Sequence, residues 1–130
     1  MGKYYYPMVN YKTLVLGASS NPERYSYKVV LSLLRSGIEV VPMGNKKGYI
    51  GNLSIVMPFE SLTNIHTVSI YLAPLRQEEY FEYIMSLQPK RVLFNPGSEN
   101  IIFTKRLNER NILWENACNL VLLSTNQYQS

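Results

Sequence analysis

The stretch from Val15 to Tyr27 limits this chain more than any other. It reads Val-Leu-Gly-Ala-Ser-Ser-Asn-Pro-Glu-Arg-Tyr-Ser-Tyr. A short β-branched run, Thr13–Gly17, ends in a glycine and passes through a small polar loop into a helical pattern. Val29, Val30, Leu33 and Leu34 form one helix face, with Ser26 as the expected N-cap and Gly37 as the residue that ends the helix. A buried strand that leads through a tight loop into a helix is half of a βαβ unit, and its loop amides and helix N-terminus can face an anion.

The rest of the chain repeats that alternation. Ile38–Met43 reads as a second strand, followed by a glycine- and lysine-rich loop, Gly44–Asn52, a possible short strand at Ser54–Met57 and a turn at Pro58–Asn64. His66–Ala73 reads as a strand, Arg76–Leu87 as a helix, Arg91–Phe94 as a strand, Asn100–Arg110 as a helix and Ile112–Glu115 as the last strand. The tail from Cys118 fits helix or strand. The pattern predicts one α/β domain, a Rossmann-like three-layer sandwich with a mainly parallel sheet, over residues 12–130. A tyrosine-rich arm, residues 1–11, precedes it.

Composition excludes several classes. No apolar run approaches the ~20 residues of a membrane span, and the amino terminus lacks the apolar core of a secretory signal, so the chain reads as cytoplasmic. A lone cysteine, Cys118, rules out an internal disulfide and a cysteine-based zinc site. The net charge of +4 is spread thinly, apart from Lys46-Lys47 and Lys90-Arg91. That suits an anionic small molecule better than nucleic acid, which needs a clustered basic face.

In a doubly wound sheet the loops after the strands converge on one edge. Here they are Ala18–Tyr25, Gly44–Lys47, Ala73–Leu75 and Asn95–Glu99, all built of Gly, Pro or small polar residues. Arg24 adds a planar fork suited to phosphate oxygens, although an exposed loop arginine is also ordinary. The end of the second strand discriminates between nucleotides. An NAD enzyme carries Asp or Glu there, whereas this chain has Pro42-Met43-Gly44-Asn45-Lys46-Lys47. Two lysines in place of an acid favour a phosphorylated ribose, as in NADP or coenzyme A. Each lysine taken singly reads as a solvated surface residue.

These motifs resemble the family of small CoA-binding domains related to the CoA-binding domain of succinyl-CoA synthetase. Gly17-Ala18-Ser19-Ser20-Asn21-Pro22-Glu23-Arg24-Tyr25-Ser26-Tyr27 is similar to the family's Gly-Ala-Ser-x-x-Pro-x-Arg-x-Ser loop. Val41–Asn45 looks like the end of its second strand, Gly51 and Ser61-Leu62 match shorter signals, and Asn95–Asn100 resembles its Pro-Gly-x-x-Asn turn. The resemblance implies that Gly17, Ala18, Ser19, Ser20, Asn21, Arg24 and Tyr27 cradle a pyrophosphate. It places Pro42, Gly44, Asn45, Lys46 and Lys47 beside the adenosine, with a lysine toward its 3′-phosphate. Ala73, Pro74, Asn95, Pro96 and Gly97 then line the opposite wall. Many members have Asn-Pro where this chain has Gly44-Asn45, and Glu115–Cys118 matches the family's Asn-Arg-Cys only loosely.

No catalytic constellation stands out. His66 is the only histidine and opens a strand at the far edge; Ser19 and Ser20 have no base to activate them; Glu99 fits the first turn of a helix. Cys118 reads either as a small packed residue or as a partner for the CoA thiol. The expectation is therefore a protein that binds CoA or acyl-CoA without catalysis of its own, with a protein partner or a homodimer possible. A small NADP-dependent enzyme and an interaction module with a vestigial pocket are the alternatives.

Overall fold

A computed structural model describes residues 9–129, and most of the tyrosine-rich arm lies outside that range. Five parallel strands form the main sheet: β1 (Thr13–Leu16), β2 (Val40–Met43), β5 (Thr67–Ile70), β6 (Arg91–Phe94) and β7 (Leu113–Asn116). Their spatial order is β2-β1-β5-β6-β7, so the chain winds outward from β1 to β2 and then crosses back to β5. β3 (Tyr49–Ile50) and β4 (Leu53–Ser54) make a small antiparallel hairpin; β3 lies inside the segment Gly44–Asn52 expected to be loop, and β4 ends where the expected short strand Ser54–Met57 begins. Gly51 turns it at φ +59°, a value glycine adopts freely.

Strand residues alternate between two cores, as a sheet covered on both faces requires. Leu14, Leu16, Val68, Ile70, Val92 and Phe94 face α2 (Phe81–Ser86) and α3 (Ile101–Glu109), meeting Phe81, Ile84, Phe103 and Leu107. Val15, Val40 and Leu93 face the other way, onto Val29, Val30 and Leu33 of α1 (Tyr25–Arg35). Leu120, Leu122 and Leu123 of α4 (Asn119–Ser124) close that side, which resolves the ambiguous tail as a helix.

Three boundaries depart from expectation. Helix α1 starts at Tyr25 with Arg24 as its N-cap, and Ser26 is a buried residue inside the first turn. Strand β5 stops at Ile70, and the chain beyond it, at Tyr71 and Leu72, lies against Gly17. The long helix expected over 76–87 is two 3₁₀ turns, Pro74–Arg76 and Glu78–Tyr80, followed by the short α2. Between the two turns sits Gln77, a fully buried side chain whose amide donates to the carbonyls of Leu72 at 2.8 Å and Ser98 at 2.7 Å.

Candidate functional site

The crossover from β1 to β5 places a cleft at the carboxyl edge of the sheet, where ligands bind in folds of this topology. Its volume is about 670 Å³, within the usual range for small-molecule sites. Gly17, Ala18, Ser19, Ser20, Glu23, Arg24, Tyr25 and Ser26 form one wall, Asn45 and Lys46 come from the β2 end, and Tyr71, Leu72, Arg76 and Pro96 form the far wall.

Glycine is obligatory where these loops meet. A Cβ on Gly17, at φ +91°, would lie 2.9 Å from the Tyr71 carbonyl oxygen. A Cβ on Gly44 would lie 2.4 Å from the Ala18 carbonyl oxygen. The β1–α1 loop is thereby pressed between the ends of β2 and β5.

Its amides divide into two groups. Those of Gly17 and Ala18 both donate to the Met43 carbonyl, at 3.0 and 2.9 Å. This corrects the expectation that the amide directly after Gly17 faces an anion. Asn21 shapes the turn: its side chain accepts from the Glu23 amide and its carbonyl from the Arg24 amide, both at 3.0 Å. The amides of Tyr27 and Lys28 return to the Arg24 carbonyl. Among the described residues, the amides of Ser19, Ser20, Tyr25 and Ser26 have no protein acceptor. Arg24 contributes no side-chain cap, and the first turn of α1 holds no acidic residue. The positive end of the helix is left open toward the cleft.

Arg24, Lys46 and Arg76 add a cation from each of three loops. None forms an ion pair within the described residues. The Tyr71 hydroxyl turns inward to the buried Ser69 side chain; burial first and neighbouring Cys118 second push its ionisation up, so it stays protonated at neutral pH. Cys118 is half-buried and sits behind the wall rather than on it.

Not every expected residue reaches the cleft. Tyr27 packs into the α1-side core, and Pro42 and Gly44 are buried in the β2 end, where the Pro42 carbonyl accepts from Val56 and the Gly44 amide donates to it. Lys47 is exposed outside the lining, and Ala73 and Pro74 stand just beyond Leu72. Asn95 turns inward: its Nδ2 donates to Ser69 Oγ and the Ile70 carbonyl, and its Oδ1 accepts from the Asn119 amide. The Gly97 amide is taken by Glu99 Oε1 at 2.9 Å. Those groups serve the scaffold. Glu23 and Tyr25 lie in the loop Ala18–Tyr25 expected at this edge; sequence reasoning missed Ser26, read as a cap, Tyr71 and Leu72, read as strand, and Arg76, read as the start of a helix.

His66 lies at the amino edge of β5, bonded to Thr67 Oγ1 at 2.8 Å and packed on Tyr11. Burial, then Arg91 and Lys90, hold its ionisation below the ordinary value. No cluster of three metal-ligating side chains and no helix long and apolar enough to cross a membrane occurs among the described residues.

The profile of the CoA binding domain matches residues 11–124 of the chain. The chain belongs to that family. Membership supports CoA binding in general and implies a small nucleotide ligand. A solved structure of an uncharacterised protein is 39% identical, with a TM-score of 0.87, and the match covers 89% of this chain and 96% of that one. A hypothetical protein from Pyrococcus horikoshii OT3 is 24% identical with a TM-score of 0.80, covering 89% and 83% of the two chains. A protein from Thermus thermophilus is 20% identical with a TM-score of 0.79, covering 89% of each. The last two show the fold alone. No curated protein matches at a significant level.

Proposed function

We infer that this CoA-binding domain holds CoA or an acyl-CoA by its pyrophosphate, on the β1–α1 loop and the start of α1, and does no chemistry alone. The observation that carries the reading is the open N-terminus of α1. Ser19, Ser20, Tyr25 and Ser26, whose amides have no protein acceptor, all line a cleft that Arg24, Lys46 and Arg76 also line. Arg24 is the residue placed to bind phosphate oxygens in pairs. Lys46, on the adenosine side, is the one lysine of its pair in the lining and the candidate for the 3′-phosphate. The donor set fits CoA, which supplies a thiol that carries acyl groups.

Catalysis finds little support here. The one histidine is at the opposite edge, the loop serines have no neighbouring base, and Glu99 is engaged by the Gly97 amide. Glu23 is a single carboxylate at an exposed position. The protein on this reading carries or senses its ligand in a cell's cytoplasm, alone, as a homodimer or for a protein partner.

Calorimetric titration with CoA, dephospho-CoA, NADP and NAD tests the reading. CoA is expected to bind roughly tenfold tighter than dephospho-CoA, the worth of one charge-assisted contact. Binding of NADP alone would overturn it in favour of a small NADP-dependent enzyme. No binding of any would favour an interaction module.

A further inference from the structure

Beyond the cleft, the far wall continues into an exposed apolar rim. Leu75 is 97% exposed, Ile101 78% and Ile102 66%. They come from separate elements, but the elements are fused: Asn100 Nδ2 reaches the Pro74 carbonyl at 3.5 Å and Gln77 Oε1 at 3.0 Å. The buried Gln77 amide then ties Leu72 to Ser98. Leu75 is therefore displayed on a locked turn, beside the first residues of α3. Single exposed aliphatic residues are common, but three at one rigid rim are not.

The rim is continuous with the site. Arg76 lines both the cleft and a second hollow formed with Leu75, Glu78 and Glu79. In this topology the adenosine end of a dinucleotide-like ligand lies on the β2 side, so its other end leaves across β5 and β6. Leu72 and Pro96 border that exit; Leu75 lines the outer hollow with Arg76, and Ile101 follows Asn100, whose side chain reaches the Pro74 carbonyl.

We propose that the rim of Leu75, Ile101 and Ile102 receives the acyl chain of an acyl-CoA, and that the chain it selects is aliphatic and uncharged. The proposal rests on the CoA reading above and names the ligand class within it. Selection against a charged chain follows from the outer hollow, where two carboxylates, Glu78 and Glu79, face one guanidinium, Arg76. A chain ending in a carboxylate meets net repulsion there. A hydrocarbon chain covers the rim instead, tightening binding roughly twofold for each half-buried methylene.

The test is calorimetry with CoA, butyryl-CoA, octanoyl-CoA and succinyl-CoA, the octanoyl ester being kept below its micellar concentration. The panel is run on the wild type and on Leu75→Ser/Ile101→Ser, with gel filtration of both. The account expects octanoyl-CoA to bind wild type at least tenfold tighter than CoA, and succinyl-CoA to bind more weakly than butyryl-CoA. In the double variant the octanoyl gain disappears while CoA affinity stays the same. Both substituted residues are exposed, so the variant folds. Equal affinities for CoA and octanoyl-CoA would overturn the acyl proposal and leave the CoA reading intact. So would a gain that survives in the double variant, or a wild-type dimer that the variant loses. Failure of every ester and of CoA itself would overturn both.

Discussion

Helices α1 and α3 both begin at the carboxyl edge of the sheet, each after a loop of small polar residues with Pro and Gly, and they begin in opposite ways. Helix α3 is closed. Asn100 Oδ1 accepts from the Phe103 amide at 3.0 Å, and the preceding turn consumes its polar groups through Asn95, Ser98 and Gln77. Helix α1 has Arg24 at the N-cap and no side-chain cap, and neither helix has an acidic residue in its first turn. A side-chain cap is worth about 1 kcal/mol, and α1 does without it. Similar loop compositions can thus build a lock or a receptor. What separates them is the side-chain cap: Asn100 bonds the first turn of α3, and Arg24 leaves that of α1 uncapped.

The comparison can be broken at several points. The largest effect is expected at Gly17. Gly17→Ala forces an L side chain to φ +91° and against the Tyr71 carbonyl, costing about 3 kcal/mol by denaturant unfolding and abolishing CoA binding. A near-native midpoint with intact binding would show that the loop is not clamped as described.

Arg24→Asp separates the two roles of the α1 terminus. Asp at the N-cap closes the helix, so thermal stability rises by about 0.5–1 kcal/mol. The same carboxylate meets the ligand's phosphates, so CoA affinity falls by roughly a hundredfold, about 2.7 kcal/mol. Stability and affinity falling together would contradict the account.

Asn100→Ala should do the reverse. It removes the cap of α3 and leaves buried Gln77 Oε1 without its donor, costing about 2 kcal/mol of stability. Affinity for CoA at a temperature where the variant is folded should stay within about threefold, since Asn100 lies outside the cleft lining. A larger loss of affinity would make the lock part of the site.

The smallest effect concerns the opposite edge. The folded state holds His66 below its ordinary value of 6.5, so the unfolded chain binds the proton more readily. Its contribution is present above about pH 6.5 and is lost as pH falls through that value toward the lowered one. His66→Gln should flatten the stability profile between about pH 7 and 5 without moving CoA affinity. An unchanged slope would remove His66 as a source of the pH dependence.

Much of the fold was legible because its signals are local. The runs at Thr13–Leu16, Val40–Met43 and Arg91–Phe94 are short, β-branched or aromatic, and bounded by Gly or Pro. Asn100 heads α3 as a good N-cap should. The misreadings share a different cause. Ser26 has the chemistry of a cap but is buried within the first turn of α1, and Gln77 looks like a surface helix residue yet is fully enclosed. Both are set by what lies across the sheet edge, which one-dimensional spacing does not record. The site was legible in the same measure. The β1–α1 loop that forms one wall of the cleft stands out as a strand–glycine–helix pattern, whereas Arg76 depends on how the chain turns after β5. Asn95 had the right composition and position for a ligand contact, but long-range partners at Ser69 and Asn119 claim it.

An amide NMR titration of the wild-type protein with CoA tests the contrast between the two helix starts most directly. The account predicts that saturating CoA shifts the backbone amides of Ser19, Ser20, Tyr25 and Ser26 most strongly, while those of Gly17, Ala18 and Phe103, already bonded within the protein, move little. The largest shifts falling on Ser98–Phe103, with the β1–α1 loop unmoved, would contradict it.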